Sequence, residues 1–541
     1  MIDTVTDVEP RRSPRRGATW RPWLGRLLLA TGSGVLFYLS FAPRSLWWLA
    51  PLAFTGLGLA LHGRRFRAGF GYGFVFGCTF FLLHLTWLQH FLGQGFGPWP
   101  WLGLSATLAL YLGLAGGLGT VVARLPGAPV WMALVVIALE TPRAWFPLGG
   151  FPWGRVGFSQ PEGAYLALAS IGGAPLVGFA VALTGFGLAW LLLRLWSASS
   201  AAQRTPRGLA VPVAATLLPV LAGLAVWPTV GTAPQRGSLT VAAVQGNAPD
   251  AGLDMFTDGA GLGANHLAET ERLRRDIEAG RAPRPDLVVW PETAIGARPG
   301  ANPRLDRMVG ELGVPTVVGA VYQQPDGELE NAAVAWDPDT GQGERYIKQQ
   351  LVPFGETVPW RGLATMVTPF VNAVDERVQG TGDPAALSIA GTRVGLMICY
   401  EAAYDYPARD GIREGAELLL APTNNAWYGR SEMSYQQLAM SRLRAVEHGR
   451  AVIVSATSGV SAIVQPDGSV SSSTELFTAD SLVDEVPLRQ QATLSDQLGA
   501  WTEYALVAAA VAAVGTGFAL RWRARRGTAG TKENAAGDAV A

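Results

Sequence analysis

Seven apolar stretches crowd the first part of this chain, at 24–41, 46–62, 68–90, 101–122, 130–146, 171–196 and 209–230, and an eighth lies at 504–520. Each approaches the roughly 20 residues that carry a helix across a bilayer core. In lipid such a segment satisfies its own backbone polar groups only as a helix, so the stretches predict a membrane bundle of about eight spans. Composition agrees: 49% of residues are hydrophobic and 16% charged, with mean hydropathy +0.21. Soluble domains carry about a quarter charged residues. The first run leads straight into further spans and lacks a clear small-residue cleavage site, so it reads as a span rather than a removable signal. Inside the spans Glu140 is the main charge.

Arginine placement gives the orientation. Arg11, Arg12, Arg15, Arg16 and Arg21 precede the first span, "GRRFR" follows the second, Arg124 the fourth, Arg204 and Arg207 the sixth, and "RWRARR" the last. Seven spans plus one put all of these on one side, so both tails are expected in the cytoplasm. The block between the seventh and eighth spans is then extracytoplasmic. Lys+Arg and Asp+Glu are equal at 42 each, which gives no support for a nucleic-acid partner. The two cysteines, Cys78 and Cys399, lie in unlike surroundings, and no bridge between them is expected.

Residues 238–487 have a different character. "SLTVAAVQ" (238–245), "DLVVW" (286–290) and "VPTVVGAVY" (314–322) read as buried strands. "HLAETERLRRDIEAG" (266–280) reads as an amphipathic helix that Gly280 can end. "NAAVAWDPDTGQGERYIK" (331–348) reads as two strands around a turn, and "SAIVQPDGSV" as another hairpin. Alternating strands and helices predict a layered α/β domain. The expected organisation is a basic tail at 1–23, the bundle at 24–230, the α/β block at 238–487, a last helix at 502–521 and a disordered tail at 522–541.

Three polar residues end or follow apolar strands in that block: Glu292 after "LVVWP", Lys348 after "RYI" and Cys399 after "VGLMI". A carboxylate can take a thiol's proton, and an ammonium favours the thiolate and can stabilise an oxyanion. By spacing alone the bland alternative stands beside this: surface Glu and Lys, and a small core Cys. His62, His84, His90, His266 and His448 show no metal-ligand spacing, so no metal is expected. The glycines of "GFGYGFVFG" (69–77) suit close helix packing.

The motifs "WPETA" (290–294), "YIKQQLVPFGE" (346–356) and "GLMICYE" (395–401) resemble the three active-site motifs of the nitrilase, or carbon–nitrogen hydrolase, superfamily. "NNAWYG" (424–429) and "HGRAVIVSATSG" (448–459) extend the likeness. Set between seven spans and one more, such a domain resembles the bacterial apolipoprotein N-acyltransferases in particular. The resemblance implies an αββα sandwich outside the cytoplasmic membrane. It implies Cys399 as nucleophile, Glu292 as general base and Lys348 as oxyanion-stabilising cation. Glu356 would be a supporting acid, Tyr400 and Glu401 would shape the pocket, and Trp427 would sit in a loop near substrate. One departure is visible: where the family often has a tryptophan after "QGN", this chain offers Met255 and Phe256.

The implied reaction passes a fatty acyl chain from a membrane phospholipid to the cysteine as a thioester. It then passes to the free N-terminal amine of a diacylglyceryl-cysteine apolipoprotein. It implies no cofactor, a phospholipid donor, a lipoprotein acceptor, and a monomer in the bacterial cytoplasmic membrane. "GLATMVTPFVNAV" (362–374) is expected to dip into lipid, with burial against the domain as the alternative. Arg442 and Arg444 are read either as near a phosphate or as part of a plain solvated helix. A membrane-anchored amidase or nitrilase would use the same triad. A transporter would want charged residues inside the spans, and these are nearly charge-free.

Overall fold

The computed structural model describes residues 21–196, 206–248, 260–297, 302–367, 371–372, 374–382 and 384–537. Arg11, Arg12, Arg15, Arg16, Arg204 and the loop carrying Met255 and Phe256 lie outside the described residues.

Five described helices are long and apolar enough to cross a membrane: Phe66–His84, Trp99–Val122, Leu166–Trp196, Gly208–Thr229 and Trp501–Ala524. The other three expected spans are shorter helices, Trp23–Leu39, Leu49–Leu61 and Ala128–Arg143. The run expected at 68–90 does not form one helix: Phe66–His84 stops and Thr86–Phe96 starts anew after Leu85. The break has a partner elsewhere, because the His84 carbonyl accepts from Gln436 Nε2 at 3.2 Å. The last helix runs Trp501–Gly537, so the disorder expected at 522–541 is not found over 522–537.

Helix Phe66–His84 lies against Trp99–Val122 through Gly69, Gly73 and Gly77, spaced four apart. A Cβ at Gly73 would stand 2.3 Å from the Leu112 carbonyl oxygen, so only glycine lets the two backbones approach this closely. Exposed tryptophans mark both ends of the bundle: Trp99, Trp145, Trp227 and Trp501 at one, Trp23, Trp196 and Trp522 at the other. Amphipathic rings of this kind settle at headgroup depth.

The α/β block contains two sheets. The first runs Asp480–Pro487, Ser238–Gln245, Leu287–Val289, Thr316–Gln323, Leu329–Asp337 and Gly341–Ile347, with Ile295–Ala297 and Arg377–Val378 paired alongside. The second runs Val470–Ser473, Ala462–Val464, Val452–Ala456, Leu418–Thr423, Thr392–Leu396 and Ala386–Ile389. Val241, Val289 and Val317 of one sheet meet Leu396, Leu420 and Ile453 of the other in a shared core. Helices Ala260–Glu278 and Pro303–Leu312 cover the outer face of the first sheet. Tyr406–Arg413 and Met433–His448 cover that of the second. The layers are therefore αββα, and the central strands read as continuous apolar runs because both their faces are buried.

Bundle and block lock together along helix Met433–His448. Gln436 Oε1 accepts from the indole nitrogens of Trp153 (2.7 Å) and Trp87 (3.3 Å). Just before the helix, Glu432 takes a forked pair of bonds from Arg44, at 2.6 and 2.9 Å. Glu140 is buried beside Arg143 and Arg155 and accepts from the Val156 N–H at 2.8 Å, and Arg155 also pairs with Glu503 of the last helix.

Candidate active site

Strand Thr392–Leu396 delivers Cys399 to a sharp corner, with φ +52° at the cysteine, and a single 3-10 turn, Cys399–Ala403, follows. A non-glycine residue in that region is strained, and surrounding contacts must hold it there. Glu401 supplies several of them. Its carboxylate accepts from the N–H groups of Ile398 (2.6 Å), Gln349 (2.6 Å) and Gln350 (3.0 Å), and from the Tyr346 hydroxyl (3.0 Å). The nucleophile turn and the segment after Lys348 are thus tied to one buried group.

Arg444 holds the other end of the turn. It is fully buried, donates to the carbonyls of Ala402 (3.1 Å) and Ala403 (3.2 Å), and pairs with Glu447. This overturns both alternatives read from the sequence for Arg444, a phosphate contact and a solvated helix face. Helix Met433–His448 is sandwiched between sheet and bundle, so its polar side chains are internal struts. Arg442 bonds Glu162 and the Gly468 carbonyl. Glu447 in turn presses on the break in helix Ala169–Trp196, where Gly173 has φ +65° and ψ −169°. A Cβ there would stand 2.2 Å from Glu447 Oε1, so the position demands glycine.

The structure brings the side chains of Glu292, Lys348 and Cys399 together. Lys348 Nζ lies 2.8 Å from Glu292 Oε1 and 2.9 Å from Glu356 Oε2. Glu292 Oε2 accepts from the Asn424 N–H at 2.8 Å, and Glu356 Oε2 from the Val352 N–H at 2.9 Å. Tyr400 points its hydroxyl to the Gly150 carbonyl (3.2 Å) and stacks near Trp153, so it reaches into the bundle. Trp427 is half-buried beside Phe91, with ring centroids 6.2 Å apart.

Residues 33–187 match the family profile described as apolipoprotein N-acyltransferase N-terminal domain, and residues 240–493 match carbon–nitrogen hydrolase. A Mycolicibacterium smegmatis protein named apolipoprotein N-acyltransferase is 37% identical, over 93% of this chain and 86% of that one. The chain belongs to the apolipoprotein N-acyltransferase family. An Azotobacter vinelandii member is 33% identical, over 94% of this chain and 97% of its own. Among solved structures, an amidase from Nesterenkonia sp. aligns over 48% of this chain and 94% of that one, with 20% identity and TM-score 0.34.

In this apolipoprotein N-acyltransferase family member the thiol is protonated at rest. Burial pushes Cys399 up to about 12 and the Glu292 carboxylate adds to that, against the pull of Lys348 and Thr423. Burial is the larger cause and charge adds to it: Glu292 faces the sulfur, and a thiolate would place a further anion in a dry pocket. Burial also pushes the Lys348 ammonium down, but Glu292 and then Glu356 outweigh it and hold its proton well above the usual range. At pH 8 a thiol titrating near 12 is thiolate to about one part in 10⁴. Wild type and Cys399→Ser should therefore show the same ultraviolet absorbance at about pH 8, with no thiolate band in their difference. A band there would refute a protonated resting thiol.

Sequence reasoning missed Asn331, Asn424 and Tyr428. The last two lie in the quoted "NNAWYG", and Tyr428 faces Cys399 and Glu292 from its loop. Asn331 lies across from Lys348 in the 331–348 hairpin, its carbonyl accepting the Lys348 N–H, but a register shift between Val334 and Trp336 makes the two arms unequal and hides that pairing from the sequence.

Proposed function

We propose that this protein moves a fatty acyl chain from a membrane phospholipid, through a thioester on Cys399, to the N-terminal amine of a diacylglyceryl-cysteine apolipoprotein. The observation that carries the reading is the buried Glu292–Lys348 pair beside a strained cysteine corner, built against a bundle of apolar helices. Glu292 accepts the thiol proton as sulfur attacks the ester carbonyl, so no net charge is created in the pocket. Lys348 and the Tyr400 N–H stabilise the oxyanion. The proton passes to the departing oxygen, which leaves as lysophospholipid. In the second half the neutral amine attacks the thioester, Glu292 takes its proton, and the sulfur leaves and recovers that proton as thiol.

The catalytic block lies on the extracytoplasmic side of the bacterial cytoplasmic membrane in this reading. Arg64, Arg65, Arg67 and Arg124 support it, lying in the connections at the bundle end opposite the block. Helix Arg361–Val367 rests in the outer leaflet, a role supported by Met366 at 82% exposure, with Leu363 and Trp360 also exposed beside it. The protein acts as a monomer.

Intact-protein mass spectrometry after incubation with phospholipid vesicles tests the first half. One acyl mass should appear on the peptide containing Cys399 and be absent from Cys399→Ala. Adding a diacylglyceryl-cysteine peptide should discharge it as an amide. Discharge as free fatty acid, with the peptide unchanged, would make the protein a hydrolase instead.

A further inference from the structure

Asn331 stands inside strand Leu329–Asp337, with 1% of its surface exposed. The strand pairs antiparallel with Gly341–Ile347, and its backbone carbonyl accepts from the Lys348 N–H at 2.9 Å. The two side chains therefore enter the site next to each other. The Asn331 amide nitrogen donates to Glu292 Oε1 at 2.7 Å and also to Glu356 Oε1. A primary amide has two N–H groups, and both are used. The amide cannot be turned over, because its oxygen would then face two carboxylates. That oxygen is buried and has no hydrogen-bond partner among the described residues, an unfavourable arrangement accepted in exchange for the two bonds on the other side.

These contacts close a ring. Lys348 Nζ bridges Glu292 and Glu356 from one side, and Asn331 Nδ2 bridges the same two carboxylates from the other. Two buried carboxylates this close to one another tend to share a proton, since like charges in a dry site disfavour joint ionisation. One ammonium offsets one of them. The amide is the other group that favours ionisation of both. Burial pushes the Glu356 carboxyl up, yet Lys348, Asn331 and the Val352 N–H together hold it below the usual value.

We infer that Asn331 is a positioning residue for acyl transfer, whose amide holds Glu292 and Glu356 apart as two carboxylates and leaves Glu292 free to receive the thiol proton. The inference rests on the reading of Glu292 as the base. Without the amide, the pair takes up a proton at neutral pH and the base is blocked. The other groups that face this ring are Lys348, Cys399 and Tyr428 on their separate elements, with Glu401 facing Lys348. None of them offers a donor that the structure shows replacing the amide.

The test is single-turnover acylation of Cys399 in the full-length protein, followed by intact mass in phospholipid vesicles from about pH 5.5 to about pH 9. Asn331→Ala should move the acid limb of the rate profile up by about two pH units. Its deficit should be about 100-fold near pH 6 and shrink to within about threefold near pH 9. Asn331→Ser, which keeps one donor and less volume change, should lie between, and Asn331→Asp should be slowest at neutral pH because it adds a third carboxyl. A variant profile lowered equally at every pH, parallel to wild type, would mean that the amide only fills space, and the inference would fall. If Asn331→Ala does not fold, the Ser and Asp profiles decide. Wild type that never acylates on Cys399 refutes the function proposed above; acylated wild type with parallel variants refutes only this inference.

Discussion

Lys348→Met is expected to lower Cys399 acylation by about 10³-fold or more. Methionine keeps the length and apolar character of the stem and removes only the charge. The ammonium is buried and bonded to both Glu292 and Glu356, so its loss leaves two carboxylates with no cation between them. Breaking a buried ion pair from one side costs about 3–5 kcal/mol, because the remaining charge is stranded. The pair relieves that cost by taking up a proton, which disables the base proposed above as well. The oxyanion of the proposed mechanism loses its cation in the same step. Intact-mass kinetics measures the first effect and the thermal midpoint in detergent the second. Acylation within about tenfold of wild type would remove Lys348 from the mechanism.

Glu401→Gln should be the next most damaging change, with acylation lowered by about 10²-fold or more, although Glu401 does not touch the reacting sulfur. Its carboxylate accepts three backbone N–H groups and the Tyr346 hydroxyl. A glutamine would turn an NH₂ toward donors, leaving one or two buried N–H groups unsatisfied at about 1–3 kcal/mol each. The Cys399 corner would then relax from its positive φ and carry the sulfur away from Glu292. Stability has a matching signature. Burial raises the Glu401 carboxyl from 4.5 to about 7, against the pull of Lys348 and the three N–H groups. Since the folded value is the higher one, this contribution to stability is complete below about pH 4.5 and is lost as pH rises through about 7. The wild-type thermal midpoint should fall across that interval, and Glu401→Gln should lack the decline. A wild-type profile that rises there would contradict the assignment.

Glu292 and Cys399 follow apolar strands and Lys348 follows a mixed one, Gly341–Ile347, so spacing alone left surface and core alternatives beside a triad, and the three motifs were what singled these residues out. The layers were legible because periodicity switches between strand and helix along 238–487. What escaped was set by distant contacts. The break after His84 is invisible in a run that stays apolar, since Gln436, some 350 positions away in the chain, receives the freed carbonyl. Arg444 looked like a solvated residue because its helix is polar on most sides. Such a helix is buried only when every polar side chain finds a partner, and here they do so across two halves of the molecule. Asn331 was hidden by register, since the shift between Val334 and Trp336 leaves nothing in the sequence to mark it as the neighbour of Lys348. The three shorter helices of the bundle escaped because a hydropathy window measures apolar length and not where a helix stops.

The hydroxyls of Tyr400 and Tyr404 hang from the carbonyls of Gly150 and Ala144, both in the loop that leaves helix Ala128–Arg143. The corner that presents the sulfur is therefore suspended from the bundle as well as seated in its own sheet. Its position is gauged by the helices, in the way that a plumb line is gauged by its beam. A shift of the loop that leaves helix Ala128–Arg143 is therefore also a shift of the sulfur.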